Sequence, residues 1–135
     1  MGLSLIWPAQ GTVTRGFGYD RAEWHAGIDI GTLTSLDVIA AAPGVVESVG
    51  YATGFEGYGN IVLVDLGSGL EALYAHLSSV AVKPGELVVT GQHLGLAGCT
   101  GYCTGTHLHF ELRSLGVAFD PAPLLPATIS APEGG

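Results

Sequence analysis

The chain is divided into short runs of apolar and β-branched residues, and glycine or proline separates most runs from the next. Such runs are typical of β-strands, and the residues between them are typical of tight turns. A hairpin is predicted where "NIVLVDL" and "LEALYAHL" flank a turn at Gly67–Gly69. No segment keeps a helical period for more than about three turns. The sequence therefore predicts an all-β fold, an antiparallel sandwich or open barrel.

The strands are expected to follow one another through most of the chain. Residues 3–9 are expected to form a lead-in strand, residues 25–31 ("HAGIDIG") one continuous strand, and residues 107–113 ("HLHFELR") the last long strand. The proline-rich end of the chain is expected to cross the surface as coil. We therefore expect one domain over residues 1–125 and a coil tail over 126–135.

The composition excludes several classes of partner. The chain has 135 residues, of which 47% are hydrophobic and 12% charged, so it is expected to build a core of its own. Its net charge is −8 with only four basic residues, which argues against phosphate contacts with a nucleic acid. The longest apolar stretch, "VIAAAPGVV", is too short to span a bilayer. We expect no nucleic-acid partner and no membrane span, and no signal peptide is visible after Met1.

The strand at 107–113 carries polar residues that need an explanation. Alternation along "HLHFE" places His107, His109 and Glu111 on one face and apolar residues on the other. Two adjacent imidazoles are difficult to bury without partners. An H-x-H pair alone is more often a solvated strand face than a metal site. Glu111 is equally compatible with a partner for a histidine and with a surface carboxylate.

Other candidate ligands lie far away along the chain. In "HAGID", His25 and Asp29 would share one strand face across Gly27, which would leave room for an ion between them. An exposed histidine and a turn-capping aspartate are the alternative. His76 ends a predicted hairpin strand in "LYAHLS". His93 follows a turn, has no polar companion in the sequence, and is left out of the site.

Cys99 and Cys103 are the only cysteines, in "GCTGYCTG". In an extended strand their Cα atoms would lie roughly 13 Å apart, too far for a disulfide. The glycines of this segment would permit a turn that brings them together, so a disulfide and two buried thiols remain alternatives. A disulfide would fix the loop that leads into His107 and would indicate an oxidising compartment.

These motifs, in this order, resemble the signature of the lysostaphin-type (LytM-like) zinc metallopeptidases. The matching segments are His25 with Asp29, "YAHL" at 74–77 and "CTGTHLHFE" at 103–111. Between and after them, "GYGNIVLVDLGSG", "VKPGELVVTGQHLGLAG" and "FDPAPLL" match further family patterns, so the resemblance runs from about residue 7 to residue 125. Cys103 and Thr106 stand where many relatives have Ser or Asn and Pro.

The resemblance implies a set of site residues and a cofactor. His25, Asp29 and His109 would bind Zn²⁺, and His107 and His76 would be catalytic histidines that do not bind the metal. Two imidazoles and one carboxylate would leave a fourth tetrahedral position for water, as in a catalytic rather than a structural zinc site. Which of His76 and His107 would be the general base stays open.

The resemblance also implies a fold and a function. The fold would be the duplicated hybrid motif type of antiparallel sandwich or open barrel, with a groove over the sheet. Segments 18–24 and 51–58 would form the groove walls, unless their aromatic residues only pack. The chain would be an extracytoplasmic, monomeric zinc endopeptidase that hydrolyses the peptides of bacterial cell-wall peptidoglycan.

Two other interpretations stay open. The first is a non-catalytic LytM-like domain that binds cell-wall material or activates another hydrolase. Such domains typically lose ligands, whereas here all five site positions are filled. A biotinyl or lipoyl carrier ranks last, because a carrier needs a lysine at a hairpin tip, and Lys83, the only lysine, precedes a proline and lacks flanking methionines.

Overall fold

A computed structural model describes residues 3–20 and 22–129. Antiparallel β-strands dominate this part of the chain, and a short 3₁₀ helix at Ala122–Leu124 follows the last strand. The predicted all-β antiparallel fold is confirmed, and the largest sheet is open rather than closed into a barrel. The strands are β1 (Thr12–Arg15), β2 (Gly18–Asp20), β3 (Glu23–His25), β4 (Ile28–Gly31), β5 (Asp37–Ile39), β6 (Gly44–Gly50), β7 (Ile61–Gly67), β8 (Leu70–Ala75), β9 (Leu77–Val80), β10 (Leu87–Val88), β11 (His93–Ala97), β12 (Leu108–Ser114) and β13 (Val117–Phe119).

The largest sheet brings together strands that are distant in sequence. Its order is β1-β4-β12-β8-β7-β6-β10, and β13 pairs with β12 as well. Strands β5, β11 and β9 form a second sheet, and β2 and β3 form a two-stranded ribbon. Strand β12 lies between β4 and β8, and its His109 is opposite Asp29 on one side and Ala75 on the other. This register places residues 29, 76 and 109 at one point of the sheet.

Both faces of the central strands are covered. One face of β12, β8 and β7 packs into the main core, where Phe110 and Tyr74 are fully buried. On the opposite face, Ile61 and Leu73 form a smaller cluster with Phe55 and Tyr58. Segment 51–60 therefore acts as a cover over the outer face of β7 and β8, because these strands are apolar on both faces.

Two strand predictions are wrong. Residues 3–9 form no strand, although Leu5 is buried and its N–H donates to the carbonyl of Leu124 at 3.1 Å. The predicted strand over 25–31 is interrupted, since β3 ends at His25 and β4 begins at Ile28, with a bend at 26–27. Strands β9 and β13 were not expected from the sequence.

Cys99 and Cys103 form a disulfide, with their Cα atoms 5.2 Å apart. The chain between them turns at Gly101, which has a positive φ of 73°. A Cβ at Gly101 would lie 2.4 Å from the backbone N of Gly59, and the N–H of Tyr102 donates to the carbonyl of Gly57 at 2.8 Å. The disulfide loop therefore packs directly against segment 51–60.

The end of the described chain packs against the core through Leu125 and Ile129. The remainder of the expected coil tail, 130–135, lies outside the described residues, so the boundary at residue 125 stays a prediction. Within the residues that the structure describes, no helix is long and apolar enough to cross a membrane.

Three carboxylates lie on neighbouring strands β6, β7 and β8, namely Glu47, Asp65 and Glu71. A hydrogen bond with Glu71, burial, and the charges of Glu71 and Asp65 raise the pKa of Glu47 from its ordinary 4.5 to about 7. Between these two values the folded protein holds a proton that the unfolded chain has released. Stability should therefore fall as the pH rises through this window.

The replacement Glu47→Gln is expected to remove this part of the pH dependence and to stabilise the protein above pH 7. Glu47 is exposed, so solvent screening limits the gain to under about 1 kcal/mol. Urea unfolding at about pH 4.5 and pH 8 measures it, with Glu56→Gln as the matched control. An equal loss of stability between these pH values in Glu47→Gln and the unaltered protein would contradict the prediction.

Candidate metal centre and groove

One open groove is lined by all five residues that the sequence proposes for the site. His25 ends β3, Asp29 lies in β4 and His109 in β12, whereas His107 immediately precedes β12 and His76 immediately follows β8. Three of them, His25, Asp29 and His109, offer ligand atoms that all lie within 4.8 Å of one another. The structure thus brings the five together, and their separate roles stay predictions.

Asp29 is the centre of this group. Its Oδ1 lies 2.9 Å from Nδ1 of His109, 3.3 Å from Nε2 of His25 and 3.6 Å from Nε2 of His107. The bend at 26–27 turns the chain so that His25 and Asp29 face each other although they belong to different strands. The convergence of His25 and Asp29 therefore arises from this bend and not from alternation along one strand.

Gly27 does not leave room for an ion, contrary to the prediction. A Cβ at this position would lie 2.4 Å from the carbonyl oxygen of Phe110, 2.8 Å from Cγ of Glu111 and 3.1 Å from Cε1 of His109. The absent side chain instead permits the bend to pack directly against β12. This close approach brings His25 within reach of His109.

The replacement Gly27→Ala is therefore expected to separate the bend from β12. Overpacking of this kind costs about 1–3 kcal/mol of folding free energy, and the displacement of His25 should weaken metal binding. Gly105→Ala is the matched control, because a Cβ there would meet nothing within 4 Å. Thermal unfolding and metal titration of both variants check this, and equal behaviour would contradict it.

Hydrogen bonds fix which ring nitrogen of each histidine faces Asp29. Nδ1 of His25 lies 2.9 Å from the carbonyl oxygen of Gly16, and Nδ1 of His107 lies 2.8 Å from that of Gly105. A carbonyl oxygen only accepts, so these Nδ1 atoms donate and the Nε2 atoms of the neutral rings carry lone pairs. Lone pairs on two imidazoles therefore point at a carboxylate oxygen, an arrangement that needs a cation.

The pKa values of His109 and Asp29 also indicate that positive charge is favoured at this position. Burial alone would lower the pKa of His109, but hydrogen bonds with Asp29 and Glu111 raise it to about 9. Burial opposes ionisation of Asp29, yet a hydrogen bond from His109 holds the pKa of its carboxyl well below the usual range, and a proton on Nε2 of His25 would act in the same direction. A proton on Nδ1 of His109 or a metal ion would satisfy the same acceptors. Two imidazole nitrogens and one carboxylate oxygen are donors that suit Zn²⁺.

His76 and His107 face the groove beside this group. Their ring centroids are 4.9 Å apart, and His76 lies 6.0 Å from His109. Nδ1 of His76 donates to the carbonyl of Thr100 at 2.6 Å, which leaves Nε2 as an acceptor. Burial lowers the pKa of His76, with the Thr100 carbonyl opposing this effect, so its neutral form is favoured. The residue adopts a positive φ of 64°, an uncommon conformation for a non-glycine residue.

Glu111 is fully buried, which rules out the surface-carboxylate interpretation. Its Oε2 lies 2.8 Å from Nε2 of His109 and accepts a hydrogen bond from the hydroxyl of Tyr58 at 2.5 Å. Its Oε1 accepts from Arg113 at 2.9 Å. The sequence did not reveal the contact with Tyr58, because "GYGN" shows nothing of which strand face segment 51–60 covers.

Each predicted wall segment contributes one aromatic residue to the groove. Trp24 and Tyr58 line it, whereas Phe55 packs in the smaller core cluster. Tyr102, in the disulfide loop, is 89% exposed, lines the groove and was missed by the sequence reasoning. His93 has a polar companion after all, since it bonds to Asp37, and both are exposed away from the groove.

Comparison with known proteins identifies the family. The model described as peptidase family M23 matches residues 23–121, which is most of the chain. The chain therefore belongs to peptidase family M23, and the resemblance to the lysostaphin-type peptidases is confirmed.

Curated relatives include the DD-carboxypeptidase/endopeptidase Mpg of Neisseria meningitidis, which is 40% identical over 97 residues, or 72% of this chain. The murein hydrolase activator NlpD of Escherichia coli is 34% identical over 120 residues, or 89% of this chain. These matches span only 22% and 31% of the two relatives. Among solved structures, the catalytic domain of the antimicrobial peptidase lysostaphin from Staphylococcus simulans has a TM-score of 0.67 and 32% identity, covering 85% of this chain and 86% of that one.

Proposed function

We propose that the protein is a zinc-dependent endopeptidase that hydrolyses peptide bonds of bacterial cell-wall peptidoglycan. The observation that carries this proposal is the convergence of possible ligand atoms from His25, Asp29 and His109 in an open groove, with two further histidines beside them. Membership in a peptidase family supports the reaction class, and the groove provides a surface on which an extended peptide could lie.

The metal would be held by Nε2 of His25, Oδ1 of Asp29 and Nδ1 of His109. When bound, zinc would supply a Lewis acid for the scissile carbonyl and lower the pKa of a coordinated water towards 7. One carboxylate against a divalent ion leaves a net positive charge, which favours that acidification. Arg113 offsets the charge of Glu111, so the second carboxylate does not cancel this effect.

His107 and His76 would act on the protons that are transferred during peptide-bond hydrolysis. Each ring donates from Nδ1 to a backbone carbonyl and presents Nε2 to the groove as an acceptor. We assign to His107 the uptake of the water proton and its delivery to the leaving amine, since its Nε2 lies 3.6 Å from Oδ1 of the proposed ligand Asp29. His76, once protonated at Nε2, would donate a hydrogen bond to the developing oxyanion. Exchange of the two roles is open to kinetic analysis.

The cell-wall compartment fits two observations. Cys99 and Cys103 form a disulfide, which persists in oxidising environments outside the cytoplasm. The similarity to a murein hydrolase activator also points to the cell wall. We therefore propose an extracytoplasmic site of action on peptidoglycan peptides.

Metal analysis and digestion test this function together. The purified chain is expected to hold about one zinc ion, to release peptide fragments from purified peptidoglycan, and to lose this activity in a chelator. Mass analysis of fragments from walls with glycine bridges and with direct diaminopimelate cross-links would identify the bond that is cut. A zinc-loaded protein that cleaves none of these walls would contradict the proposal.

A second candidate is favoured by the similarity to NlpD. In this alternative the domain would bind cell-wall material and activate another hydrolase. The same digestion separates the two, because an activator releases no fragments alone but increases the release by an added cell-wall hydrolase. The complete set of five site residues favours the enzyme.

A further inference from the structure

The carboxylate of Glu111 is buried next to the proposed metal centre. Glu111 has no solvent exposure, and an ionised carboxylate is costly to bury without donors. It has three partners: the hydroxyl of Tyr58, Nε2 of His109 and Nη1 of Arg113. Arg113 is always a donor and Tyr58 directs its hydroxyl at the carboxylate, so Glu111 acts as an acceptor in these contacts.

This acceptor determines which nitrogen of His109 carries the proton. A carboxylate can only accept, so the Nε2 atom that lies 2.8 Å away must donate. The lone pair of the neutral ring is then on Nδ1, which lies 2.9 Å from Oδ1 of Asp29. Without Glu111, either nitrogen of His109 could be protonated.

Tyr58 and Arg113 hold this acceptor in place from two directions. Arg113 donates to Oε1 of Glu111, and its guanidinium lies over the ring of Phe55 at 5.3 Å from the centroid. Tyr58 donates to Oε2 from the groove wall. The backbone carbonyl of Tyr58 also accepts the N–H of His76 at 2.9 Å. One wall residue therefore contacts both a proposed catalytic histidine and the acceptor behind a proposed ligand.

We propose that Tyr58, Glu111 and Arg113 form a positioning unit that fixes Nδ1 as the metal-binding atom of His109 and couples the groove wall to the metal centre. The inference rests on the proposed function, because it concerns the same site. Phe55 extends the unit, since it packs edge to face against Tyr58 and lies beneath Arg113. A peptide that contacts Tyr58 in the groove would therefore act on the orientation of His109.

The test is the zinc affinity of single and double variants, measured by competition with a chromophoric chelator. Loss of an acceptor behind a ligating histidine typically costs about 10–100-fold in metal affinity. We expect Glu111→Gln to lose about this much and Tyr58→Phe to lose about tenfold. The double variant should bind zinc no more weakly than Glu111→Gln alone, since both changes act through one carboxylate. Tyr102→Phe and Glu56→Gln, which alter groove residues without contact to Glu111, should keep the affinity of the unaltered protein.

A second readout excludes a merely structural effect. In the zinc-loaded protein, the ring ¹⁵N shifts of His109 should show a proton on Nε2, and this signature should be altered in Glu111→Gln. If Glu111→Gln does not fold, Tyr58→Phe decides: an affinity equal to that of Tyr102→Phe overturns the proposal. Additive losses in the double variant also overturn it. An unaltered protein that binds no zinc would instead refute the proposed function on which the inference rests.

Discussion

Replacement of His107 by alanine is expected to lower the rate of peptide-bond cleavage by about 10²–10⁴-fold, the usual contribution of a general acid–base residue, while zinc stays bound. The reason is the position of its ring. His107 directs Nε2 at the proposed centre, 3.6 Å from Oδ1 of Asp29, but the group of mutually close ligand atoms consists of His25, Asp29 and His109. Its removal should therefore remove a proton carrier and leave the donors in place.

The measurement pairs zinc content with the cleavage rate in the same samples. His93→Ala is the matched control, because His93 bonds to Asp37 on an exposed surface outside the groove. His76→Ala should also retain zinc. The pH dependence of the cleavage rate in the His107→Ala and His76→Ala variants would show which histidine is the general base, because removal of that residue abolishes its part of the pH profile. If His107→Ala loses the metal and His109→Ala keeps it, the ligand assignment is reversed.

Local patterns predicted the parts of the fold that local physics determines. The hairpin of β7 and β8 followed from two strand-like runs around a glycine turn, and the alternation of "HLHFE" correctly placed Leu108 and Phe110 in the core. The lead-in strand failed because residues 3–9 satisfy single backbone bonds to distant segments instead of a ladder. Apolar composition predicts burial, but it does not reveal whether a strand partner exists.

The site needed information of longer range. His109 and Asp29 are 80 positions apart, and they meet because β12 pairs with β4 in one particular register. The alternation of residue types indicates which side chains share a face of each strand, but it does not reveal how two strands are aligned with each other. The family motifs predicted the convergence of these residues indirectly, because the family resemblance assigns them to one site. The buried state of Glu111 escaped both kinds of reasoning, because it depends on Tyr58 covering that face of the sheet.

The sequence did not decide whether Cys99 and Cys103 form a disulfide or remain two buried thiols. Cys99 and Cys103 are four positions apart, so only a tight turn allows the bond. That turn requires Gly101 to pass within contact distance of the backbone at 57–59, a tertiary contact that local sequence does not encode. The carbonyl of Thr100, in the same loop, accepts the hydrogen bond from His76. The loop that the disulfide closes therefore also positions the ring of this proposed catalytic histidine.

Replacement of Asp29 by asparagine is expected to reduce zinc affinity by more than about 100-fold and to abolish cleavage, since loss of a group behind a ligand alone costs 10–100-fold. Asp29 supplies the only carboxylate oxygen within the group of three proposed ligands, and three imidazole nitrogens lie within 3.6 Å of it. Asparagine keeps the shape but removes the negative charge that attracts a divalent cation. Restoring activity with excess zinc would therefore be difficult even at concentrations that saturate the unaltered protein.

Asp37→Asn serves as the control, because it makes the same change at an exposed carboxylate that also pairs with a histidine. Chelator competition should give the unaltered zinc affinity for Asp37→Asn and a large loss for Asp29→Asn. The metal-free Asp29→Asn protein should still unfold cooperatively, which separates loss of a ligand from loss of the fold. Zinc bound as tightly by Asp29→Asn as by the control would mean that the ion lies elsewhere, and the convergence around Asp29 would then have to be explained by the proton on His109 alone.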